Sequence, residues 1–264
     1  MGSEPTSLPV KITLAPSAVV AGEDGPPHFL TSFLINESLA IDAGSLGLVD
    51  LAEQAKVKHI LLSHSHIDHL ASLPLFIENT FDPGKPPVTI HGNEPVLACL
   101  QKDIFNGRLW PDFISMSRNG SSFLKLQTLT PGKTIMLEGL RITPVAVNHV
   151  VPTCGFIVDD GSSAVVIAGD TGPTEEIWQR AESLPNLRAV FLEATFPNDM
   201  SELADVAKHL TPELFAREVA KVKNNVAIIA VHIKARHYPR IVEELKAMGM
   251  PNLEIGRTGK TYHF

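Results

Sequence analysis

The sequence predicts an α/β fold in which two mixed sheets pack face to face with helices outside. Three features predict it. Short β-rich runs alternate with longer amphipathic segments, and Gly, Pro or Asp separates them at almost every step. Several runs are apolar throughout, as strands buried on both faces must be. With 264 residues and 44% hydrophobic content, the chain can form a sizeable core, and a single domain spanning 1–264 is expected.

The opening stretch MGSEPTSLPVKITLAPSAVV reads as a polar lead into a strand, without a charged and apolar leader. No apolar run reaches membrane-spanning length, so a soluble, cytoplasmic protein with no membrane partner is expected. SLAIDAG, KHILLS and PVTIHG read as buried strands, and a helix follows over 94–105. FDPGKPP and LWPDFISMSRNGSS are rich in breakers and read as loops. TIMLEGLRITPVAVNHV has apolar residues on both sides of Glu138-Gly139, as a hairpin requires. A second hairpin joins GFIVDD to SAVVIAGD through Gly161 and Ser162, and RAVFLEA and NVAIIAVH supply further strands. Thr211 can cap a helix that has Pro212 in its first turn and Glu213 complementing its dipole. A last helix over 239–248 can stop at Gly249.

The formal charge of −7 argues against a broad nucleic-acid face, which usually needs a basic patch. No stable nucleic-acid partner is expected, and a small substrate suits this balance better. Cys99 and Cys154 form no C-x-x-C pair and read as reduced core residues.

The chemistry is concentrated in HSHIDH, which places His64, His66, Asp68 and His69 directly after the strand KHILLS. His64 and His66 lie two apart, so an extended segment projects both to one side, while Asp68 and His69 follow a turn and can serve a second ion. A solvated polar loop is the competing reading for a lone histidine there. A cluster of this density suits zinc, manganese or iron better than calcium, which prefers oxygen ligands. Further donors are expected where later strands end, and His149, Asp170 and His232 each close an apolar run. Singly, each could serve only solvation or a turn.

HSHIDH together with His149, Asp170 and His232 resembles the metallo-β-lactamase superfamily. The resemblance implies an αββα sandwich holding two divalent ions, Zn2+ foremost, with Mn2+ or Fe as alternatives. It implies that His64, His66 and His149 hold one ion, that Asp68, His69 and His232 hold the other, and that Asp170 lies between them. Two such cations lower the pKa of a bridging water and stabilise charge on attacking and leaving oxygens, which implies hydrolysis without fixing the substrate.

IDAGS, IFNGRLWPDF, GDTGP, FLEATFPN, KHLTPEL and HIKARH look like the corresponding blocks of class II cyclic-nucleotide phosphodiesterases, in that order from Ile41 to His237. Ala71, where relatives often place a small turn residue, is a departure. The resemblance implies a small-molecule cyclic nucleotide as partner, hydrolysed at its 3′,5′ phosphodiester. A leaving sugar oxygen needs a proton, and His209 oriented by Glu193 could supply it or contact the phosphate. His209 and Glu193 therefore join Asp68 as catalytic candidates, the alternative being a residue before a helix cap and a strand-end carboxylate.

Lys234, Arg236 and His237 could meet a phosphate or form a solvated loop. Asn106, Trp110 and Phe113 could line a base pocket, form local core or make a subunit contact. His91 reads as structural, and His28, His59 and His263 as surface or packing residues. The Glu193 and His209 pair is also similar to that of tRNA 3′-processing RNases, the runner-up. A lactonase or thioesterase comes third, and a metal-binding module without turnover is the alternative outside the enzymes. A homodimer is expected from the common occurrence of two-fold association.

Overall fold

The structure is a computed structural model that describes residues 9–15, 30–222 and 225–264. His28 lies outside the described residues. The strands in chain order are β1 (Lys11–Leu14), β2 (Phe33–Ile35), β3 (Leu39–Ile41), β4 (His59–Leu61), β5 (Val88–Gly92), β6 (Leu124–Thr128) and β7 (Ile135–Leu137). They continue as β8 (Leu140–Val147), β9 (Thr153–Asp159), β10 (Ala164–Ile167), β11 (Leu187–Glu193), β12 (Ala227–Val231), β13 (Leu253–Ile255) and β14 (Thr261–His263). One sheet has the order β14-β1-β2-β3-β4-β5-β6 and the other β13-β12-β11-β10-β9-β8-β7. Both are mixed: β3 to β6 and β10 to β13 run parallel, and the remaining pairs run antiparallel.

The apolar runs divide their side chains between two faces, following the two-residue period of a strand. In β11, Ala189 and Phe191 pack between the sheets, while Val190 and Leu192 join the outer core. In β4, Leu61 faces the other sheet and Ile60 the helices on its own side. The metallo-β-lactamase sandwich expected from the sequence is thus observed, with a central core between sheets and an outer core beneath each helical layer.

The hairpin at Glu138-Gly139 forms with both residues at positive φ, 48° and 83°, the backbone that favours glycine at a two-residue turn. Thr211 caps the helix Pro212–Val219 by accepting from Leu214 N, and the last helix, Tyr238–Ala247, is followed by Gly249 at φ 60°.

Two local readings need correction. The helix expected over 94–105 is α-helical over Glu94–Cys99 and continues as a wider π turn over Leu100–Ile104. The expected loop LWPDFISMSRNGSS contains the helix Phe113–Arg118, because Asp112 caps it through Ser115 N and Phe113 and Ile114 drop into the core. The breaker residues flank this helix and do not interrupt it.

Candidate metal centre

The site lies where strands of both sheets end. Ser63 and His64 follow β4, His149 follows β8, Asp170 follows β10, Glu193 ends β11 and His232 follows β12. The two edges are tied together by Cys154 N donating to Ser63 O at 3.0 Å. Asp68 and His69 lie on the single turn Ile67–Leu70, directly after His66. That turn is clamped by Thr31 N donating to Asp68 O at 2.9 Å and Ala43 N to His69 O at 2.7 Å. Gly44 permits the close approach, since a Cβ there would lie 1.9 Å from Asp68 O. Asp42 and His232 take left-handed backbone, φ 61° and 50°, a conformation that is uncommon outside glycine, that Asp and His adopt more readily than most residues, and that clusters at functional sites.

Among the described residues, three donor groups result, one of them formed by Glu193, His209 and His232, and the other two sharing Asp170. His64, His66, His149 and Asp170 each offer an atom within 4.8 Å of the others, and so do Asp68, His69, Asp170 and His232. Asp170 belongs to both. Its Oδ2 lies 3.8 Å from His64 Nε2, 3.3 Å from His69 Nε2 and 3.5 Å from His232 Nε2. Every ligand candidate read from the sequence is therefore brought to one place.

The ring orientations follow from what holds each imidazole on its far side. His69 Nδ1 donates to Asp42 Oδ2 at 2.7 Å, and His149 Nδ1 donates to Lys208 O at 3.0 Å. Ser63 Oγ donates to Asp42 Oδ2 at 2.8 Å and can accept from His64 Nδ1 at 2.9 Å. Thr195 Oγ1 donates to Glu193 Oε2 and can accept from His232 Nδ1 at 3.0 Å. These four histidines consequently present Nε2 to the site. His66 differs, with Nδ1 lying 3.2 Å from His149 Nε2.

A divalent cation fits this donor set. Among the described residues, His64 Nε2 and His69 Nε2 are buried without a hydrogen-bond partner, an arrangement that otherwise costs free energy. Imidazole nitrogens mixed with carboxylate oxygens suit zinc, manganese or iron.

Burial pushes the His64 imidazole down to about 2, helped by neighbouring His69, and burial likewise lowers His66 and His149. All three thus favour the neutral form that can ligate. Burial alone would lower His69, yet Asp170 and Asp42 on either side hold it above the ordinary value. Burial would raise Asp68 and Asp170, but the surrounding histidines hold both carboxyls below their usual range.

Beside the two groups that share Asp170 lies the buried pair His209 and Glu193. His209 Nδ1 donates to Glu193 Oε1 at 2.7 Å, and Glu193 also accepts from Thr171 N at 2.8 Å and Leu210 N at 3.1 Å. With so many donors the carboxylate cannot turn. Burial opposes a charge on His209, but Glu193 more than offsets it and holds the imidazole above the ordinary histidine value. The ring faces His149 at 5.0 Å and His232 at 5.7 Å between centroids.

Of the weaker candidates, Lys234 Nζ lies 5.5 Å from the centre of the Phe196 ring, which meets His209 edge-on. Arg236 and His237 lie in the short turn Ala235–His237. Phe113 stacks on Phe123 in the outer core, Trp110 packs against that core, and Asn106 braces its own turn through Arg108 N and Leu109 N. Of the readings open for Trp110 and Phe113, local core is the one these contacts satisfy. His91 is buried, with Nε2 3.0 Å from His59 Nδ1, and His263 is exposed in β14.

Sequence reasoning gave Asp42, Ser63 and Thr195 no role. Asp42 carries the same mark as Asp170, a polar residue closing an apolar run, and could have been found by it. The hydroxyls carry no such mark.

The fold and the His/Asp site define a metallo-β-lactamase superfamily hydrolase, and the chain belongs to that superfamily: residues 34–233 match its β-lactamase superfamily domain. Among relatives, the chain is 25% identical over 260 residues to the probable 3′,5′-cyclic-nucleotide phosphodiesterase of Yersinia pestis, covering 80% of this chain and 73% of that one. It is 26% identical over 187 residues to Endoribonuclease YSH1 of Candida albicans, covering 61% of this chain and 21% of that protein. The chain thus spans about a fifth of that relative's length. The fold is shared with unliganded yeast PDE1, at a TM-score of 0.78 and 18% identity, over 97% of this chain and 100% of the other.

Proposed function

We propose that the protein is a metal-dependent phosphodiesterase that hydrolyses a 3′,5′-cyclic nucleotide to the nucleoside monophosphate. The observation that carries this reading is the His209–Glu193 pair set beside two donor groups that share Asp170. His64, His66 and His149 would hold one divalent ion and Asp68, His69 and His232 the other, with Asp170 common to both. Such a pair supplies an activated water and stabilises charge on the attacking and leaving oxygens.

The chain's own residues account for the rest. Opening a cyclic phosphodiester expels a sugar alkoxide, which departs slowly unless it is protonated. His209 engages Glu193 through Nδ1, which leaves Nε2 to deliver a proton to the leaving O3′. Glu193 raises the His209 pKa and so favours the protonated ring, and the fixed carboxylate stabilises the cation before transfer. Thioester hydrolysis, which expels a thiolate, makes less use of such a donor. The acidic balance of the chain favours a small substrate over a nucleic acid, and the phosphodiesterase relative spans most of both chains.

An endoribonuclease is the second reading, favoured by the same His209–Glu193 pair and by the Candida relative. The deciding experiment supplies metal-quantified protein with cyclic AMP, cyclic GMP, a chromogenic phosphodiester and a precursor tRNA. Conversion of a cyclic nucleotide to its monophosphate, lost in Asp68→Ala, is the expected result. Cleavage of the tRNA alone would transfer the assignment to the ribonuclease reading, and inertness towards all four would sink both.

A further inference from the structure

Asp42 is buried, and its Oδ2 accepts from His69 Nδ1 at 2.7 Å and from Ser63 Oγ at 2.8 Å. Its Oδ1 accepts from Ser63 N at 2.8 Å. Ser63 has one hydroxyl proton. With that proton given to Asp42, the oxygen can only accept from His64 Nδ1, 2.9 Å away. His69 Nδ1 lies farther from the same oxygen, at 3.4 Å. One carboxylate therefore reaches an imidazole of the Asp68/His69/His232 group directly and an imidazole of the His64/His66/His149 group through a serine. Among the described residues, the two imidazoles it reaches are the ones whose Nε2 atoms are buried without a hydrogen-bond partner.

We propose that Ser63 is a positioning residue for the His64 group alone, whereas Asp42 positions both groups, so that the two ion sites share one orienting carboxylate. The proposal rests on the metal reading given above. Ser63 is buried and acts through His64, fixing that ring and the nitrogen it presents. Without its hydroxyl, His64 Nδ1 loses its acceptor in a buried place, and the ring can turn or change tautomer. Asp42 still holds His69 and still accepts from the backbone amide of residue 63, so the second group keeps its orientation. Removing the Asp42 charge deprives both groups.

The test is calorimetric titration of the metal-free full chain with Zn2+, in the wild type, Ser63→Ala, Ser63→Thr and Asp42→Asn. Loss of such an orienting partner typically weakens a metal site about 10- to 100-fold. Ser63→Ala is expected to weaken one of two binding constants by that factor and leave the other unchanged. Ser63→Thr should restore it, and Asp42→Asn should weaken both. Two single-group backgrounds identify the affected site: Ser63→Ala should matter in His232→Ala, which retains the His64 group, and be silent in His149→Ala. Metal-free melting temperatures show whether each variant folds. Equal weakening of both constants by Ser63→Ala, or no weakening, would overturn the proposal while leaving the dinuclear reading intact. A wild type that binds no Zn2+ would overturn that reading and this one together.

Discussion

Glu193 and Asp42 act alike from opposite sheets. Each is a buried strand-end carboxylate that holds one histidine directly and a second through a neighbouring hydroxyl, Thr195 in one case and Ser63 in the other. The two differ in what the first histidine does. His209 presents no atom to either of the groups joined by Asp170, so His209→Ala is expected to lower kcat by about 10²- to 10⁴-fold, the range for loss of a general acid. Its zinc content should match the wild type, and a parallel loss of zinc would assign His209 to the metal site. Glu193→Gln should lower kcat while leaving zinc content unchanged, because the neutral amide no longer stabilises the His209 cation, whereas Thr195 keeps the His232 carbonyl, 3.0 Å away, as an acceptor. The candidate metal donors were legible in the sequence because chance seldom places four potential ligands in six residues, as HSHIDH does, and because His149, Asp170 and His232 each end an apolar run. Ser63 and Thr195 were not legible: their roles depend on which ring nitrogen lies within reach after strands distant in sequence have come together.

The hairpin between β9 and β10 shows how an element is fixed at the end opposite the site. Asp159 Oδ1 accepts from Gly161 N at 2.7 Å and Asn186 Nδ2 at 2.9 Å, while Oδ2 accepts from Arg141 Nη2 at 2.6 Å. Burial alone would raise this carboxyl, but Arg141, the Gly161 amide and Asn186 reverse the effect and hold it below the ordinary range. A lowered folded-state pKa adds stability above the unfolded value, and that stability is lost as the pH falls through the folded value. Asp159→Asn should therefore cost about 1–2 kcal/mol at neutral pH, as loss of a charged hydrogen-bonding partner does. In denaturant melts the deficit should shrink as the pH drops below about 4, the unperturbed carboxylate value; a deficit unchanged at low pH would contradict this account. At Gly44 the constraint is steric, and Gly44→Ala is expected to displace Asp68 and His69 and reduce zinc content in whatever protein remains soluble. Hairpins and long strands were read correctly because apolar periodicity and Gly turns act locally. The helix Phe113–Arg118 was missed because its Asp112 cap and two buried side chains outweigh the breakers around it, which only tertiary packing reveals.

At the scale of the molecule, the inter-sheet core carries the site. Phe191 is fully buried there, edge-on to Phe33 and Tyr262, so Phe191→Ala should destabilise the protein by about 3–5 kcal/mol in guanidinium unfolding. The donors come from both sheets, and ions that bind only the folded chain should stabilise it. Zinc at a thousand times its dissociation constant would add about 4 kcal/mol, measured as the difference between chelated and reconstituted protein; no difference would mean that the site does not bridge the sheets energetically. This division of donors also bears on how the chain matures. During synthesis HSHIDH is made first and His232 much later, so an ion caught early has only part of its ligand set and exchanges freely. Durable capture of a divalent ion would then wait until both sheets have closed, and slow-exchanging metal would mark completed folding: in a refolding time course with zinc it should appear after the tertiary fluorescence signal, never before it.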